Sequence, residues 1–242
     1  MAETITTAPA WRKGLTRNVV ILGFVSLLND GASEMIYPLL PVFLTAVLGA
    51  GPAALGIIEG VAEATASLLK LYSGYLSDRV KRRKGWIVTG YSLSNVIRPL
   101  IAFSSSWLHV LALRFSDRVG KGLRTSPRDA IIADSTPPEY RGMAYGFHRA
   151  MDHGGAIIGP LLATALLLVY NGDLKTVFLF SFIPGLLAVL RAQDHDRRFV
   201  VGGGQELRRV RGNGQRISGP RVLRDGTPAK HLVEVVPHVE DV

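Results

Sequence analysis

The chain of 242 residues has no cysteine. That excludes a disulfide framework and a thiolate-held metal ion. Aromatic residues make up 8% of it, and no set of specifically spaced polar residues points to one ligand class. Nucleophile–base and metal-ligand spacings are also missing, so an enzyme has no support in the sequence. His148 and His153 are ligands by type, but without a second ligand cluster they read as core or pore polar residues. No cleavable leader is expected. The apolar run after MAETITTAPAWRKGLTRN is too long for a signal sequence and contains acids and prolines. It is expected to stay as a first helix.

What the chain has is apolar length. Hydrophobic residues reach 48% and are concentrated before Arg191; mean hydropathy is +0.23. A bilayer core takes roughly 20 mostly apolar residues per helix. The pattern predicts an all-α membrane domain over 18–191 with six spans, at 18–48, 52–76, 86–103, 107–134, 142–170 and 174–190. A short segment, 1–17, precedes it. The connections alternate in charge. Those at 49–52 and 104–107 carry none, whereas the N-terminal end, the second connection and the end of span six are basic. Basic connections are held in the cytoplasm, so both termini are expected there. The net charge of +9 then reflects topology, and no nucleic-acid partner is expected. Residues 192–242 are rich in Gly and Arg with little periodicity, which predicts a disordered tail.

Ionisable groups inside a bilayer are costly and face a bundle interior or a watery cavity. Span one carries Asn29, Asp30 and Glu34, the two acids on one helix face, followed by Tyr37, Pro38 and Pro41. The prolines predict a kink that opens backbone groups toward a cavity. Span two carries Glu59, Glu63 and Lys70, read as an ion-paired set that fixes helix register. Span three has Arg98 before Pro99. Span four places Arg114, Asp117, Arg118 and Lys121 at i, i+3, i+4 and i+7, one face of a helix. Asp129, Asp134 and Arg141 read as a solvated helix end. Asp30, Glu34, Arg114, Asp117 and Arg118 must pair with one another or line a polar path, and for Asp30, Glu34 and Arg114 a functional reading weighs at least as much as a structural ion pair.

Between spans two and three runs GYLSDRVKRRKG, residues 74–85. It resembles the loop between helices two and three of the major facilitator superfamily: Gly74, Asp78, Arg79, Arg82 and Arg83 match, and Lys81 stands where the family usually has Gly. In the family this loop latches the two transporter halves. Gly146, Gly155, Gly159 and Pro160 in span five resemble the family's antiporter motif, with Ala163 and Thr164 in place of its last two glycines. They would also serve tight helix packing. Arg114 or Arg118 matches the family's fourth-helix arginine. The resemblance implies the N-terminal six-helix half of a secondary transporter in the cell (inner or plasma) membrane. Such a protein works by alternating access and exports a small solute in exchange for protons, without cofactor or metal. The resemblance then implies a transport path at Asp30, Glu34, Arg114, Asp117 and Arg118, with Asp30 or Glu34 as the coupling carboxyl, since a carboxyl in a low-dielectric cavity can exchange protons near neutral pH, and Arg114 as its counter-charge. The family has two such halves. The chain is therefore expected to be a truncated or frame-shifted product, or a half-transporter that pairs with a second copy. The alternative is a non-transporting membrane scaffold or an inactive fragment.

Overall fold

A computed structural model of the chain describes residues 14–80 and 83–193. Among these residues every regular element is helical and no strand occurs. The expected segment 1–17 and tail 192–242 fall almost wholly outside them.

Helix α1 (Arg17–Glu34) starts at Thr16, whose hydroxyl accepts from the Val19 N–H. It ends where Pro38 has no N–H to offer the Glu34 carbonyl and its ring would clash with it. The chain continues as a 3₁₀ turn at Tyr37–Leu39, one α turn at Leu40–Val42 and a wider π turn at Phe43–Val47. The expected kink is thus a succession of helix types. Helix α2 (Pro52–Val80) and helix α3 (Arg83–Leu100) follow. Helix α4 (Trp107–Asp134) is capped by Ser106, and helix α5 (Arg141–Val169) comes next. It stops at Asn171 and Gly172, both with positive φ; the Gly172 N–H bonds to the Leu167 carbonyl at 2.8 Å, a turn that closes the helix end. Helix α6 (Leu174–Phe180) resumes after Ser181 and runs to Gln193, past the expected end at 190.

Asp173 caps α6, accepting from the Lys175 N–H and the Thr176 hydroxyl. The hydroxyl bond, more than the backbone N–H bonds, holds this carboxyl below its ordinary range. A depressed folded-state value contributes stability above the unfolded value, lost as pH falls through the folded one. The protection of the Lys175 to Val177 amides against hydrogen exchange, relative to an unstructured chain at the same pH, is therefore expected to fall below about pH 4, and D173N is expected to remove that acid dependence.

Glycines decide the packing. A Cβ at Gly90 would lie 2.6 Å from the Gly120 carbonyl oxygen, and one at Gly122 would lie 2.5 Å from Leu69 Cβ. Gly120 and Gly122 are two residues apart, about 200° around the helix. So α4 presses α3 with one side and α2 with the other. Ser73 adds a bond to the Gly122 carbonyl at 2.8 Å, and Ser126 one to the Lys70 carbonyl at 2.7 Å. Elsewhere α1 and α5 meet at Gly31, Gly155 and Gly159, while α6 reaches α3 where Gly185 meets Asn95.

Apolar clusters lie at both ends of the bundle. One gathers Val19, Leu22, Val25, Ile87, Tyr91 and Ile132. The other gathers Ile36, Leu40, Phe43, Ile58, Ile101 and Phe178, with Phe43 and Phe178 edge to face at 5.1 Å. The polar residues of α1, α3, α4 and α5 occupy the stretches between. Among the described residues four segments are long and apolar enough to cross a membrane: Arg17–Val47, Pro52–Leu76, Pro138–Val169 and Leu174–Gln193. Helices α3 and α4 are not among these four: α4 carries many charged residues, and α3 has Arg83 and Lys84 in its first turn and Arg98 near its end.

Candidate functional site

On the charged face of α4, Arg114, Asp117 and Arg118 are buried and Lys121 is exposed, so the buried cations need partners. The Arg114 Nη2 group donates to Glu59 on α2, at 2.8 Å to Oε1 and 3.1 Å to Oε2. Its guanidinium carbon sits 5.5 Å from the centre of the Tyr37 ring. Arg114 Nη1 lies 3.8 Å from Asp117 Oδ2. The other Asp117 oxygen accepts from Arg98 Nε at 3.1 Å. Arg98 Nη1 in turn donates to the Asn29 carbonyl and to Asn29 Oδ1, both at 3.0 Å. Asn29 Nδ2 donates to Asp30 Oδ1 at 3.0 Å. Six side chains on four helices thus form one chain of contacts.

Asp30 and Glu34 stand one turn apart on α1, half-buried. The α5 glycines lie against them: a Cβ at Gly155 would be 3.2 Å from Asp30 Cβ, and one at Gly159 would be 2.8 Å from Glu34 Cβ. Both acids feel the charge of Lys121 on α4, and Glu34 also feels Arg118 and Arg114. Arg114, expected as their counter-charge, spends its hydrogen bonds on Glu59 instead. Arg118 is buried, and its Nε has no hydrogen-bond partner among the described residues. Glu59 is tied to Arg114 across the α2–α4 contact and not within the expected Glu59, Glu63 and Lys70 set.

A second polar cluster lies one to three turns further along α4. Arg128 donates to Ser26 at 3.2 Å and to Asp129 at 3.0 and 3.2 Å. Tyr145 donates to the Asp129 carbonyl at 2.9 Å. His148 is 1% exposed, and its Nε2 is 3.6 Å from Asp152 Oδ1; His153 is exposed. Arg124 donates to Ser94 and stacks on Tyr91. Among the described residues no group of three or more His, Asp and Glu could hold a metal ion.

Of the loop residues, Gly74 faces α4, where its Cβ would be 3.3 Å from Ser126 Oγ. Arg83 pairs with Asp134, joining the start of α3 to the end of α4. That pairing gives Asp134, expected as a solvated helix end, a partner. The side chains of Asp78, Arg79 and Arg82 lie outside the described residues. In α5, Gly155 and Gly159 are pressed against α1, whereas a Cβ on Gly146 would meet nothing within 4 Å. Pro160 lies within α5, half-buried. The residues that sequence reasoning left out of the path are Asn29, Glu59 and Arg98. A signal existed for Arg98: it is the lone charge within an apolar span, and its partner had to come from another helix.

Comparison with known proteins gives a consistent result. The sequence matches the family described as Major Facilitator Superfamily over residues 22–223. It is 39% identical over 176 residues to an uncharacterized MFS-type transporter of Methanocaldococcus jannaschii, covering 73% of this chain and 44% of that protein. It is 36% identical over 173 residues to an uncharacterized protein of Mycobacterium bovis, covering 70% and 41%. A multidrug resistance protein of Yersinia pestis, MdtH, is 29% identical over 207 residues, covering 76% and 48%. The chain spans less than half the length of each of these relatives.

Proposed function

The chain belongs to the major facilitator superfamily, and from that premise we propose that it forms one six-helix half of a proton-coupled exporter of a small solute. Its helices α3 and α4 complete the bundle with the four apolar segments. Arg98, Arg114 and Asp117 are matched by one another and by Asn29 on α1 and Glu59 on α2, so that part of the charge need not face lipid. The basic connection between α2 and α3 puts that end, and both termini, on the cytoplasmic side. Alternating access would rock this bundle against a second one around a midplane site. The second bundle would come from another six-helix half or a second copy. The Yersinia relative, named for multidrug resistance, supports outward transport.

The observation that carries this reading is the meeting of α1 and α4. Asp30 and Glu34 sit beside a helix break, locked by α5 glycines, with Lys121 and Arg118 in electrical contact across from them. Two acids on the apolar helix α1, facing two bases on α4, are a place where one proton changes the charge balance.

The test uses everted membrane vesicles holding the chain, alone and with the second half of the archaeal relative. Ethidium serves as a probe cation, and an acridine dye follows the proton gradient. Addition of the probe is expected to discharge the gradient in the paired vesicles, and D30N or E34Q to slow this by roughly tenfold or more. Full discharge in both variants would refute the coupling assignment.

A further inference from the structure

The contacts around Asn29 carry more than a structural tie. Its side-chain amide is held at both ends: Oδ1 accepts from Arg98, and Nδ2 donates to Asp30. A guanidinium has only donors and a carboxylate only acceptors, so the two neighbours fix which way the amide points. Arg98 next divides its bonds between Asn29 and Asp117. Asp117 offers one oxygen to Arg98 at 3.1 Å and leaves the other 3.8 Å from Arg114. The longer gap exceeds a hydrogen bond, so it is the slack place in the series.

We propose that Asn29 and Arg98 are positioning residues that carry the protonation state of Asp30 through α3 and α4 to the Arg114–Glu59 pair. The proposal rests on the reading of Asp30 as a coupling carboxylate. A proton taken from water onto Asp30 cancels its charge, and the bond from Asn29 Nδ2 falls from charge-assisted to neutral strength, about half. The amide then holds Arg98 less firmly, and the guanidinium swings its donors toward Asp117. Asp117 moves with it, and Arg114 is left to Glu59 alone. Other charges act on two members of the series: Glu34 from α1, Lys121 and Arg124 from α4 and His148 from α5 on Asp30, and Arg118 and Arg124 on Asp117. None of them stands in the series between Asp30 and Arg114.

The absence of cysteine makes the test direct. Gly60 on α2 neighbours Glu59, and a Cβ there meets nothing within 4 Å. G60C therefore takes a spin label without displacing a neighbour. The full chain in lipid nanodiscs is titrated from about pH 7 to about pH 3, a range that spans the ordinary carboxylate value. The label is expected to change mobility with pH, and D30N is expected to abolish the change. N29L and R98Q are each expected to abolish it too. R98Q leaves Asp117 buried with a weaker partner and is at risk of misfolding. N29L removes just the side-chain link, since Arg98 keeps the residue-29 carbonyl and Asp117, so its thermal midpoint stays near that of the parent. A pH response lost in D30N but kept in N29L overturns the relay and leaves Asp30 as the coupling acid. A response kept in D30N, or absent in the parent, overturns both.

Discussion

Replacing Asp117 with alanine is expected to lower the thermal midpoint of the chain in detergent by roughly 6–20 °C, followed by tryptophan fluorescence. Asp117 is 1% exposed and stands between two buried arginines, Arg98 and Arg114. Removing one member of a buried ion pair leaves the others without compensation, at a cost of about 3–5 kcal/mol. For chains of about this length each kcal/mol moves the midpoint by about 2–4 °C. The cost belongs to the stranded guanidiniums rather than to the lost carboxylate. Removing a cation together with it should therefore return part of the stability, and R98M/D117L is expected to melt above D117A. If D117A melts with the parent, Asp117 is not the residue that neutralises these arginines.

The second large effect is steric. G155A and G159A are expected to destabilise the α1–α5 contact, whereas G146A stabilises the chain. At Gly155 a Cβ would sit 2.5 Å from the Leu27 carbonyl oxygen, and at Gly159 one would sit 2.6 Å from that of Gly31. No rotamer relieves a clash made by the Cβ itself, so the helices must part, at about 1–3 kcal/mol or more per site. Gly146 has open space, and alanine there gains about 0.5–1 kcal/mol of helix preference over glycine. Thermal midpoints of the three variants read the opposite signs. Disulfide yield between cysteines introduced on α1 and α5 reads the separation itself. Three variants of equal stability would remove the distinction between these glycines.

Those two cases mark what the sequence made legible. The apolar lengths, the alternating charge and the single charged face on α4 depend on local spacing, which a reader of the chain can measure. The stop after Glu34 was visible in Pro38 and Pro41, although the succession of helix types was not. Partner choice depends on how helices cross, and no local pattern reports that. Glu59 was grouped by spacing with Glu63 and Lys70, yet it pairs with Arg114, 55 residues away. Arg114 looked like a counter-charge for Asp30 and Glu34, and it is occupied elsewhere. Small residues four apart recur in α5, but the crossing with α1 uses Gly155 and Gly159 and leaves Gly146 free.

The glycine contacts also divide the bundle mechanically. Backbone lies on backbone within the α2–α4–α3 group and again within the α1–α5 pair. Between these two groups the polar ties are made by side chains: Arg98 to Asn29, Arg128 to Ser26, Tyr145 to the Asp129 carbonyl and Asn18 to Ser135. A backbone contact at this range cannot slide without collision. A long arginine or tyrosine can lengthen, swing and bond again with little change in its own energy. The bundle is therefore stiff within each of two groups and compliant between them, and the compliant seam is the one that runs past Asp30.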